Sequence, residues 1–357
     1  MDLFGTAGIR GPVAEVTPEL ALSVGQAAGA DGREFVVGRD GRETGSALLA
    51  AVTAGLESAG ADVAHAGVVP TPALAFASRG RHGVMLTASH NPPPDNGIKL
   101  FVDGQEYDRA AERRIEARVD AGTGRRDWDD WGTDVRVDVL SEYRGAVAAF
   151  ARGHGSTPEN LTVAVDCGTG MGSLATPQVL TTLGADVRAI NGHVDGHFSA
   201  RESKPTPESL ADLRAFVAEG EADLGIGHDG DADRIVVLDG AGEVVHEDTV
   251  VAILAEHYTR ASDAADPVVV TTPNASGRID ERVRAAGGRV ERVRLGALHE
   301  GIATAREDGD DVTEVVFAAE PWKHVHPALG GWIDAVVSAA VFVRLVAGDG
   351  LDALRDP

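Results

Sequence analysis

The stretch Gly83-Val-Met-Leu-Thr-Ala-Ser-His-Asn-Pro-Pro-Pro-Asp-Asn-Gly-Ile-Lys-Leu-Phe101 decides how the chain is organised. Its first four residues predict a short buried strand, which must end before the three consecutive prolines. Ser89 is therefore expected at the carboxyl end of that strand. A turn at Asp95-Asn-Gly97 then leads into a second strand that returns Lys99 towards the serine. A hydroxyl, the imidazole of His90 and an ammonium around one loop indicate nucleophilic chemistry.

Three successive passes of strand, helix, strand, helix and strand run along the chain, and each ends in a polar loop. The repeat is visible in the echo of Gly60-Ala-Asp-Val63 by Gly184-Ala-Asp-Val187. It predicts an α/β protein of three tandem related domains, each a mixed sheet with flanking helices. We place these domains at residues 1–138, 139–246 and 247–357. Because ligands bind at the carboxyl ends of strands in open α/β sheets, the three loops are expected to meet in one active-site cleft.

The composition excludes several classes of partner. The chain has 357 residues, a formal net charge of −24 and a pI near 4.8, whereas nucleic-acid binding needs a basic surface. No apolar run approaches the length of a membrane span, and the single cysteine, Cys167, excludes an internal disulfide. We expect a cytoplasmic monomer or homodimer with no nucleic-acid or membrane partner.

Lysine is scarce in this chain. It occurs only at Lys99, Lys204 and Lys323, although 32 residues are lysine or arginine. Together with the excess of acids, this resembles the surfaces of halophilic proteins, whose self-repulsion is screened by salt. The scarcity favours a functional role for Lys99 over that of an ordinary surface lysine.

The second polar loop is Gly227-His-Asp-Gly-Asp-Ala-Asp-Arg234. Its carboxylates belong to Asp229, Asp231 and Asp233. Alternating carboxylates can curl around one hard cation, but an EF-hand would need glycine and glutamate where Arg234 and Gly240 stand. A solvated acidic turn is the alternative, although apolar strands flank the loop and bury its ends. The pattern predicts a metal site and favours Mg²⁺ over Ca²⁺ if phosphate oxygens complete the coordination shell.

The third polar loop is Ala318-Ala-Glu-Pro-Trp-Lys-His-Val-His-Pro327. It offers hydrogen-bonding groups for a polyhydroxylated ligand, and Trp322 could stack on a sugar face. The substrate-binding candidates are Glu320, Lys323 and His324. A zinc site is the weaker interpretation, because His324 and His326 are too close for helical spacing and lack a third clear ligand.

Two arginine-containing segments can each be interpreted either as part of a ligand site or as a purely structural element. The glycine-rich start Phe4-Gly-Thr-Ala-Gly-Ile-Arg-Gly11 could bring its backbone and Arg10 close to a ligand, or could form a solvated turn. The run from Arg33 to Thr44 could be an ion-paired strand end or a phosphate contact. Its charged residues at issue are Arg39, Asp40 and Arg42.

Taken together, these loops resemble the α-D-phosphohexomutase superfamily, which includes phosphoglucomutase, phosphomannomutase and phosphoglucosamine mutase. The resemblance covers nearly the whole chain. Its motifs are Phe4 to Gly11, the phosphoserine loop Thr87 to Lys99, the metal loop Asp229 to Arg234 and the sugar-recognition loop Glu320 to His324. It implies that Ser89 carries a phosphoryl group, and that Ser89 and the three aspartates hold one Mg²⁺ per active site.

The implied reaction interconverts hexose 1-phosphate and hexose 6-phosphate, of glucose or mannose type, through a bound 1,6-bisphosphate. A glucose 1,6-bisphosphate-type activator would first phosphorylate Ser89. Mg²⁺, Arg10 and Arg234 would neutralise the charge of phosphoryl transfer. Lys99 and His90 are the candidates for general acid and base, and a lysine in that role needs a pKa lowered by a neighbouring metal or arginine.

The sequence departs from the family pattern at two places. The family's third loop reads Glu-x-Ser-Gly-His, whereas Glu320-Pro-Trp-Lys-His324 stands here. The family's C-terminal fourth domain carries a Ser-Gly-Thr loop that clamps the distal phosphate, and no such loop follows the helix predicted over Gly331 to Val346. We therefore expect that domain to be absent and substrate affinity to be reduced. The alternatives are a phosphoglucosamine mutase, a phosphatase or a non-catalytic sugar-phosphate binder.

Overall fold

We describe the protein from a computed structural model, which describes residues 3–5, 8–122 and 124–355. Thr6 and Ala7 of the glycine-rich start therefore lie outside the described residues. Among the described residues, no helix combines the length and the hydrophobicity needed to cross a membrane.

The first sheet is mixed and lies within residues 9–136. Its strands are β1 (Ile9–Pro12), β2 (Glu34–Arg39), β3 (Asp62–Val68), β4 (His82–Leu86), β5 (Asp95–Val102), β6 (Gln105–Glu106) and β7 (Asp134–Arg136). Its helices are α1 (Pro18–Ala28), α2 (Gly45–Ser58), α3 (Thr71–Ala77) and α4 (Arg109–Ala121). The order is β1-β5-β4-β2-β3-β7, with β6 paired to β5. Strands β4, β2, β3 and β7 are parallel, and β5 runs antiparallel to both β4 and β1.

The second sheet follows the order β12-β11-β10-β8-β9. Its strands are β8 (Thr162–Asp166), β9 (Asp186–Ile190), β10 (Leu224–His228), β11 (Ile235–Leu238) and β12 (Val244–Val245). Its helices are α5 (Leu140–Ala151), α6 (Thr176–Leu183) and α7 (Ala211–Phe216). Strands β8, β9 and β10 are parallel, whereas β10 and β11 form an antiparallel pair around the predicted metal loop.

The third sheet follows the order β14-β13-β15-β16. Its strands are β13 (Asp266–Thr271), β14 (Arg289–Arg292), β15 (Thr313–Glu320) and β16 (Lys323–Val325). Its helices are α8 (Glu247–Ala261), α9 (Gly277–Ala285), α10 (Leu298–Glu307), α11 (Ala335–Asp349) and α12 (Leu351–Arg355). Again the central strands are parallel and the last pair, β15 and β16, is antiparallel.

The predicted repeat is visible in the backbone. In each unit a helix is followed by a glycine with left-handed φ, and the next strand begins two residues later. These glycines are Gly60 (φ 87°), Gly184 (φ 107°) and Gly287 (φ 95°). A residue with a Cβ rarely adopts that conformation, so in each unit a glycine makes the turn between the end of the helix and the next strand. The prediction of a three-part α/β fold with mixed sheets is confirmed, and each sheet falls inside one predicted segment; the domain boundaries themselves stay a prediction.

Helix α11 joins the second and third units. It begins at Ala335, four residues later than predicted, because the carboxylate of Asp334 caps it by accepting a hydrogen bond from Val337 N at 2.9 Å. Tyr143 on α5 donates its hydroxyl to the same carboxylate at 2.8 Å. Residues of α5, α6 and α11 share one buried core. The sheets that carry the polar loops are therefore fixed against one another.

Candidate active site

Ser89 lies just beyond the carboxyl end of β4, as the sequence predicts. Its side chain is buried and its φ is 51°, a left-handed conformation that is uncommon for a residue with a Cβ. Ser89 Oγ donates a hydrogen bond to Asp229 Oδ2 at 2.7 Å and lies 3.5 Å from Asp233 Oδ1. The first and second polar loops therefore meet at this hydroxyl.

The three aspartates among the predicted metal ligands form one buried cluster. One carboxylate oxygen from each of Asp229, Asp231 and Asp233 lies within 4.8 Å of the other two. The backbone N–H of Arg234 donates to Asp229 Oδ1 at 3.1 Å, and Thr71 Oγ1 donates to Asp231 Oδ2 at 2.6 Å. Asp231 Oδ1 is buried, yet it has no hydrogen-bond partner among the described residues. A buried carboxylate oxygen without a donor suits a cation, so the donor set fits a hard divalent metal ion.

The charges of this cluster are unequal. Burial, and next the negative charges of Asp233 and Asp231, raise the pKa of Asp229 well above its ordinary value. Burial also opposes ionisation of Asp233, but the ammonium groups of Lys99 and Lys323 outweigh it and hold the pKa of Asp233 well below its ordinary value. A divalent cation held by the three carboxylates would relieve the repulsion among them.

Lys99 lies on β5, opposite Met85 of β4, and is buried. Its Nζ lies 3.0 Å from Asp233 Oδ2 and 3.3 Å from Asp231 Oδ2. Burial acts to lower the pKa of Lys99, but the charges of these two aspartates raise it above its ordinary value. Carboxylates rather than cations are thus the nearest charges to Lys99 in this arrangement, and a lowered pKa would require the metal ion.

Arg10, His90 and Arg234 line one side of an open cleft beside the cluster. The Nε and Nη2 of Arg10, the Nε of Arg234 and the Nδ1 of His90 are buried atoms for which no described residue provides a hydrogen bond. Burial, then the charges of Arg234 and Arg10, lower the pKa of His90 to about 4, so this imidazole is neutral. Arg234 Nε lies 3.8 Å from Asp229 Oδ2 and from Asp233 Oδ1, which is too far for a hydrogen bond. Guanidinium donors that have no hydrogen-bond acceptor within the described part of the chain indicate an anion site, and oxygens of phosphate match such donors.

The opposite side of the cleft comes from the third unit. Glu320, Trp322, Lys323 and Asn274 line it, and the cleft has a volume of about 300 Å³. The three sheets thus contribute to one cleft, as predicted. Trp322 adopts a left-handed φ of 68°, and its carbonyl accepts a hydrogen bond from Ile235 N at 3.0 Å. Its ring also packs on a core cluster of the second unit, so it holds the recognition loop against the metal loop as well as lining the cleft.

The structure does not bring His324 to the cleft. Side chains alternate between the two faces of a strand, so Lys323 and His324 of β16 point in opposite directions. His324 Nδ1 and Ser338 Oγ of α11 are 2.9 Å apart, and burial lowers the pKa of His324 to about 3. His324 is thus buried behind the recognition loop, where its Nε2 has no hydrogen-bond partner among the described residues, and its predicted contact with the substrate stays a prediction.

Two polar residues of the site were not identified from the sequence. Thr71 follows β3 and supports Asp231, and Asn274 follows β13 and lines the cleft. Both come after the carboxyl end of a parallel strand, which is the signal that located Ser89. Applied to every strand rather than to the last strand of each pass, the same argument would have found them.

Comparison with known proteins agrees with this geometry. Residues 1–126 match the family described as phosphoglucomutase/phosphomannomutase, alpha/beta/alpha domain I, and residues 142–242 match domain II of that family. A phosphopentomutase of Thermococcus kodakarensis is 44% identical over 98% of this chain and 76% of its own length. A phosphoglucosamine mutase of Saccharopolyspora erythraea is 42% identical, over 86% of this chain and 71% of its own. A crystal structure of a phosphoglucomutase/phosphomannomutase family protein from Burkholderia thailandensis is 27% identical and superposes with a TM-score of 0.83, covering 96% of this chain and 76% of that one.

Proposed function

The chain belongs to the phosphoglucomutase/phosphomannomutase family of the α-D-phosphohexomutase superfamily, and from this premise we propose that it interconverts hexose 1-phosphate and hexose 6-phosphate through a phosphoserine at Ser89 and a bound bisphosphate. One observation carries the proposal. Ser89 Oγ lies 2.7 Å from Asp229 in a buried aspartate cluster that adjoins a cleft lined by Arg10 and Arg234, whose buried guanidinium atoms lack a hydrogen-bond acceptor among the described residues. A nucleophile, a metal cage and an anion site in contact are the parts that phosphoryl transfer requires.

Asp229, Asp231 and Asp233 would hold Mg²⁺, with Ser89 or its phosphoryl group completing the shell. The ion would supply charge neutralisation of the transferring phosphoryl group. Arg10 and Arg234 would donate N–H groups to the phosphoryl oxygens, which are electron-rich in the transition state. Phosphorylation of Ser89 by a glucose 1,6-bisphosphate-type activator belongs to this proposal.

In the transfer step, the bond between phosphorus and Ser89 Oγ breaks while a bond from phosphorus to a sugar hydroxyl oxygen forms. The sugar hydroxyl must lose a proton, and the serine oxygen must gain one. His90 is neutral, and its Nδ1 has no hydrogen-bond partner among the described residues, so it is a candidate to accept the proton of the sugar hydroxyl. Lys99 is held as an ammonium ion by Asp231 and Asp233, which suits it to donate a proton rather than to accept one.

The third unit would choose the sugar. Glu320 and Lys323 offer an acceptor and a donor, and Trp322 occupies space that the family pattern gives to a small residue. A pentose phosphate is a second candidate substrate, because a relative of 44% identity is named a phosphopentomutase and a bulky side chain favours a smaller sugar. A glucosamine phosphate is the third, because another relative of similar identity is named a phosphoglucosamine mutase. The oligomeric state, the cytoplasmic location and the high-salt habitat stay predictions of the sequence.

The test is a substrate panel. The protein is treated with Mg²⁺ and glucose 1,6-bisphosphate, then given the 1-phosphates of glucose, mannose, glucosamine and ribose, and ³¹P NMR follows the products. We expect interconversion of a hexose phosphate, and none with the Ser89→Ala variant. Release of free phosphate without isomerisation would favour the phosphatase alternative. Binding of a sugar phosphate without any turnover would favour the non-catalytic binder, and either result would contradict the proposal.

A further inference from the structure

Arg42 lies between α2 and the phosphoserine loop and is completely buried. All five N–H bonds of its guanidinium group have acceptors. The contacts are Nε to Asp40 Oδ2 (3.0 Å), Nη1 to the carbonyls of Pro92 (2.6 Å) and Asp95 (2.9 Å), and Nη2 to the carbonyls of Ser89 (2.9 Å) and Asn91 (2.7 Å). Four of these five acceptors are backbone oxygens of one loop.

This count decides between the two interpretations of Arg42. A guanidinium group has five donors, and here none is left for a ligand. Arg10 contrasts with it, because its Nε and Nη2 find no acceptor among the described residues. Arg42 is therefore an ion-paired structural group and not a phosphate contact.

The loop needs such a group. Its three prolines lack N–H donors, and Ser89 has left-handed backbone dihedrals, so the loop cannot satisfy its own carbonyls with regular structure. Its internal backbone hydrogen bonds are Thr87 N to Gly97 O, Asn91 N to Ala88 O and Asp95 N to Pro92 O, and none of them uses the carbonyls that Arg42 Nη2 contacts, those of Ser89 and Asn91. A single guanidinium replaces the missing donors and fixes the spacing of the carbonyls around it.

A second set of contacts leads from Arg42 to Ser89 by another route. Asp40 Oδ2 accepts from Arg42 and also from Thr87 Oγ1 at 2.7 Å. Thr87 Oγ1 in turn accepts from Ser89 N at 2.9 Å. The ring of Phe198, from the second unit, covers the guanidinium with its centroid 5.0 Å away. Both the N–H and the carbonyl of Ser89 are thus fixed from one buried ion pair.

We propose that Arg42 is a positioning residue for phosphoryl transfer, which holds Ser89 in the left-handed conformation that directs Oγ at the aspartate cluster. The inference rests on the proposed function for its catalytic consequence. Arg42 does not itself line the cleft, so it acts through the geometry of Ser89 and not through substrate binding.

The main test compares Arg42→Lys with Arg344→Lys. Arg344 is also buried and donates its Nε to the carbonyl of His154 at 2.7 Å, but it lies outside the site. We expect Arg42→Lys to slow phosphorylation of Ser89 by glucose 1,6-bisphosphate, and to lower kcat, by about 10²-fold, because a nucleophile displaced by about 1 Å loses that much. The KM for the sugar phosphate should stay within about twofold, and Arg344→Lys should leave the rate within about twofold. An Arg42→Lys rate equal to that of the control would overturn the inference.

Two further measurements keep the inference testable if Arg42→Lys does not fold, or if no phosphoserine forms. Thr87→Val removes the hydroxyl between Asp40 and Ser89 N and should slow phosphorylation about tenfold, whereas Thr87→Ser should restore it. Equal rates for the two Thr87 variants would contradict the role of this network. Hydrogen exchange of the peptide spanning 87–101 should be faster in Arg42→Lys than in Arg344→Lys. Unchanged exchange would also contradict the inference, whereas a wild-type protein that accepts no phosphoryl group contradicts only the proposed function.

Discussion

The phosphoserine loop and the recognition loop follow equivalent strands of two repeated units, yet they are built in opposite ways. Thr87, Ala88 and Ser89 are buried, and the loop they begin is bonded throughout to Arg42. Residues 320–323 are half-buried at the cleft, where Lys323 is available to a ligand. The protein's own contacts fix the first loop, whereas a ligand would have to complete the second. The fold therefore pre-organises the residues around Ser89, whereas the contacts of the recognition loop would be completed only when a substrate binds.

The same contrast separates two arginines. Arg42 satisfies all five of its donors within the protein, whereas the buried Nε and Nη2 of Arg10 have no acceptor among the described residues. Arg42 therefore stabilises the phosphoserine loop, whereas Arg10 is available to bind an anion. The predictions below test this division, from the largest expected effect to the smallest.

The largest effect should follow from removing the nucleophile. Ser89→Ala should lower the rate of sugar-phosphate interconversion by at least about 10⁴-fold, because it removes the oxygen atom that forms the covalent bond to phosphorus. The measurement is the coupled interconversion assay with activator and Mg²⁺. Ser141→Ala, at an exposed serine, is the control and should be unchanged. Residual activity above about a tenth of wild type would show that the loop is not the catalytic part.

Arg10→Met tests whether the guanidinium group of Arg10 binds the phosphoryl group in the cleft. Charge-assisted hydrogen bonds contribute about 1.5–3 kcal/mol each, so loss of two of them should lower kcat/KM by about 10²-fold or more. Folding stability should change little, since the two atoms bond to nothing else in the described part of the chain. Arg125→Met, at an exposed position, provides the control. A strongly destabilised Arg10→Met protein with normal kinetics would reverse the roles assigned to the two arginines.

Thr71→Val tests whether metal binding by the aspartate cluster depends on a hydrogen bond from a residue outside the metal loop. The threonine hydroxyl orients Asp231 across the boundary between the first two units. Loss of a group that orients a metal ligand lowers metal affinity by about 10- to 100-fold, and we expect the lower end because Thr71 N still bonds to Asp231 O. Titration calorimetry with Mg²⁺ measures this, and Thr71→Ser should bind as the wild type does. Unchanged affinity in Thr71→Val would remove Thr71 from the site.

The smallest effect concerns the core behind the recognition loop. Burial lowers the pKa of His324 to about 3, so His324 stays neutral in the folded protein while the unfolded chain takes up a proton below about pH 6.5. The free energy of unfolding should therefore decrease as the pH falls from about 6.5 towards 3. In His324→Gln this dependence should be shallower by about 1 kcal/mol per pH unit between pH 5 and 6. Urea unfolding at several pH values measures the slope, and a slope in His324→Gln equal to that of the wild type would contradict the burial of a neutral His324.

The residues that the sequence located best are those where a local pattern specifies the chemistry. Ser89 and the aspartates follow strand ends within short motifs, and the pairing of β4 with β5 returns Lys99 to them. Arg42 and Thr71 could not be assigned in this way, because their partners lie about 50 and 160 residues away in the sequence. A substrate contact was predicted for His324 from the composition of its loop. Because side chains alternate between the two faces of β16, His324 points into the core instead.

The pKa of Lys99 is a second property that the sequence could not predict. The sequence predicts a lysine near a metal site, and the structure adds that two carboxylates are its nearest charges. Direction and sign of a pKa shift depend on distances of a few ångströms, which no sequence pattern encodes. The start of α11 was displaced for a comparable reason, since the helix begins where Asp334 can cap it.

The most direct test of the account is the location of the phosphoryl group. The protein is incubated with glucose 1,6-bisphosphate and Mg²⁺, quenched in acid and digested, and mass spectrometry maps the phosphate. We predict one phosphoryl group per chain on Ser89, absent from Ser89→Ala and discharged when excess sugar monophosphate is added. An unmodified Ser89 peptide, or phosphate that is bound equally by Ser89→Ala, would contradict the central claim that this buried serine is a phosphoryl carrier.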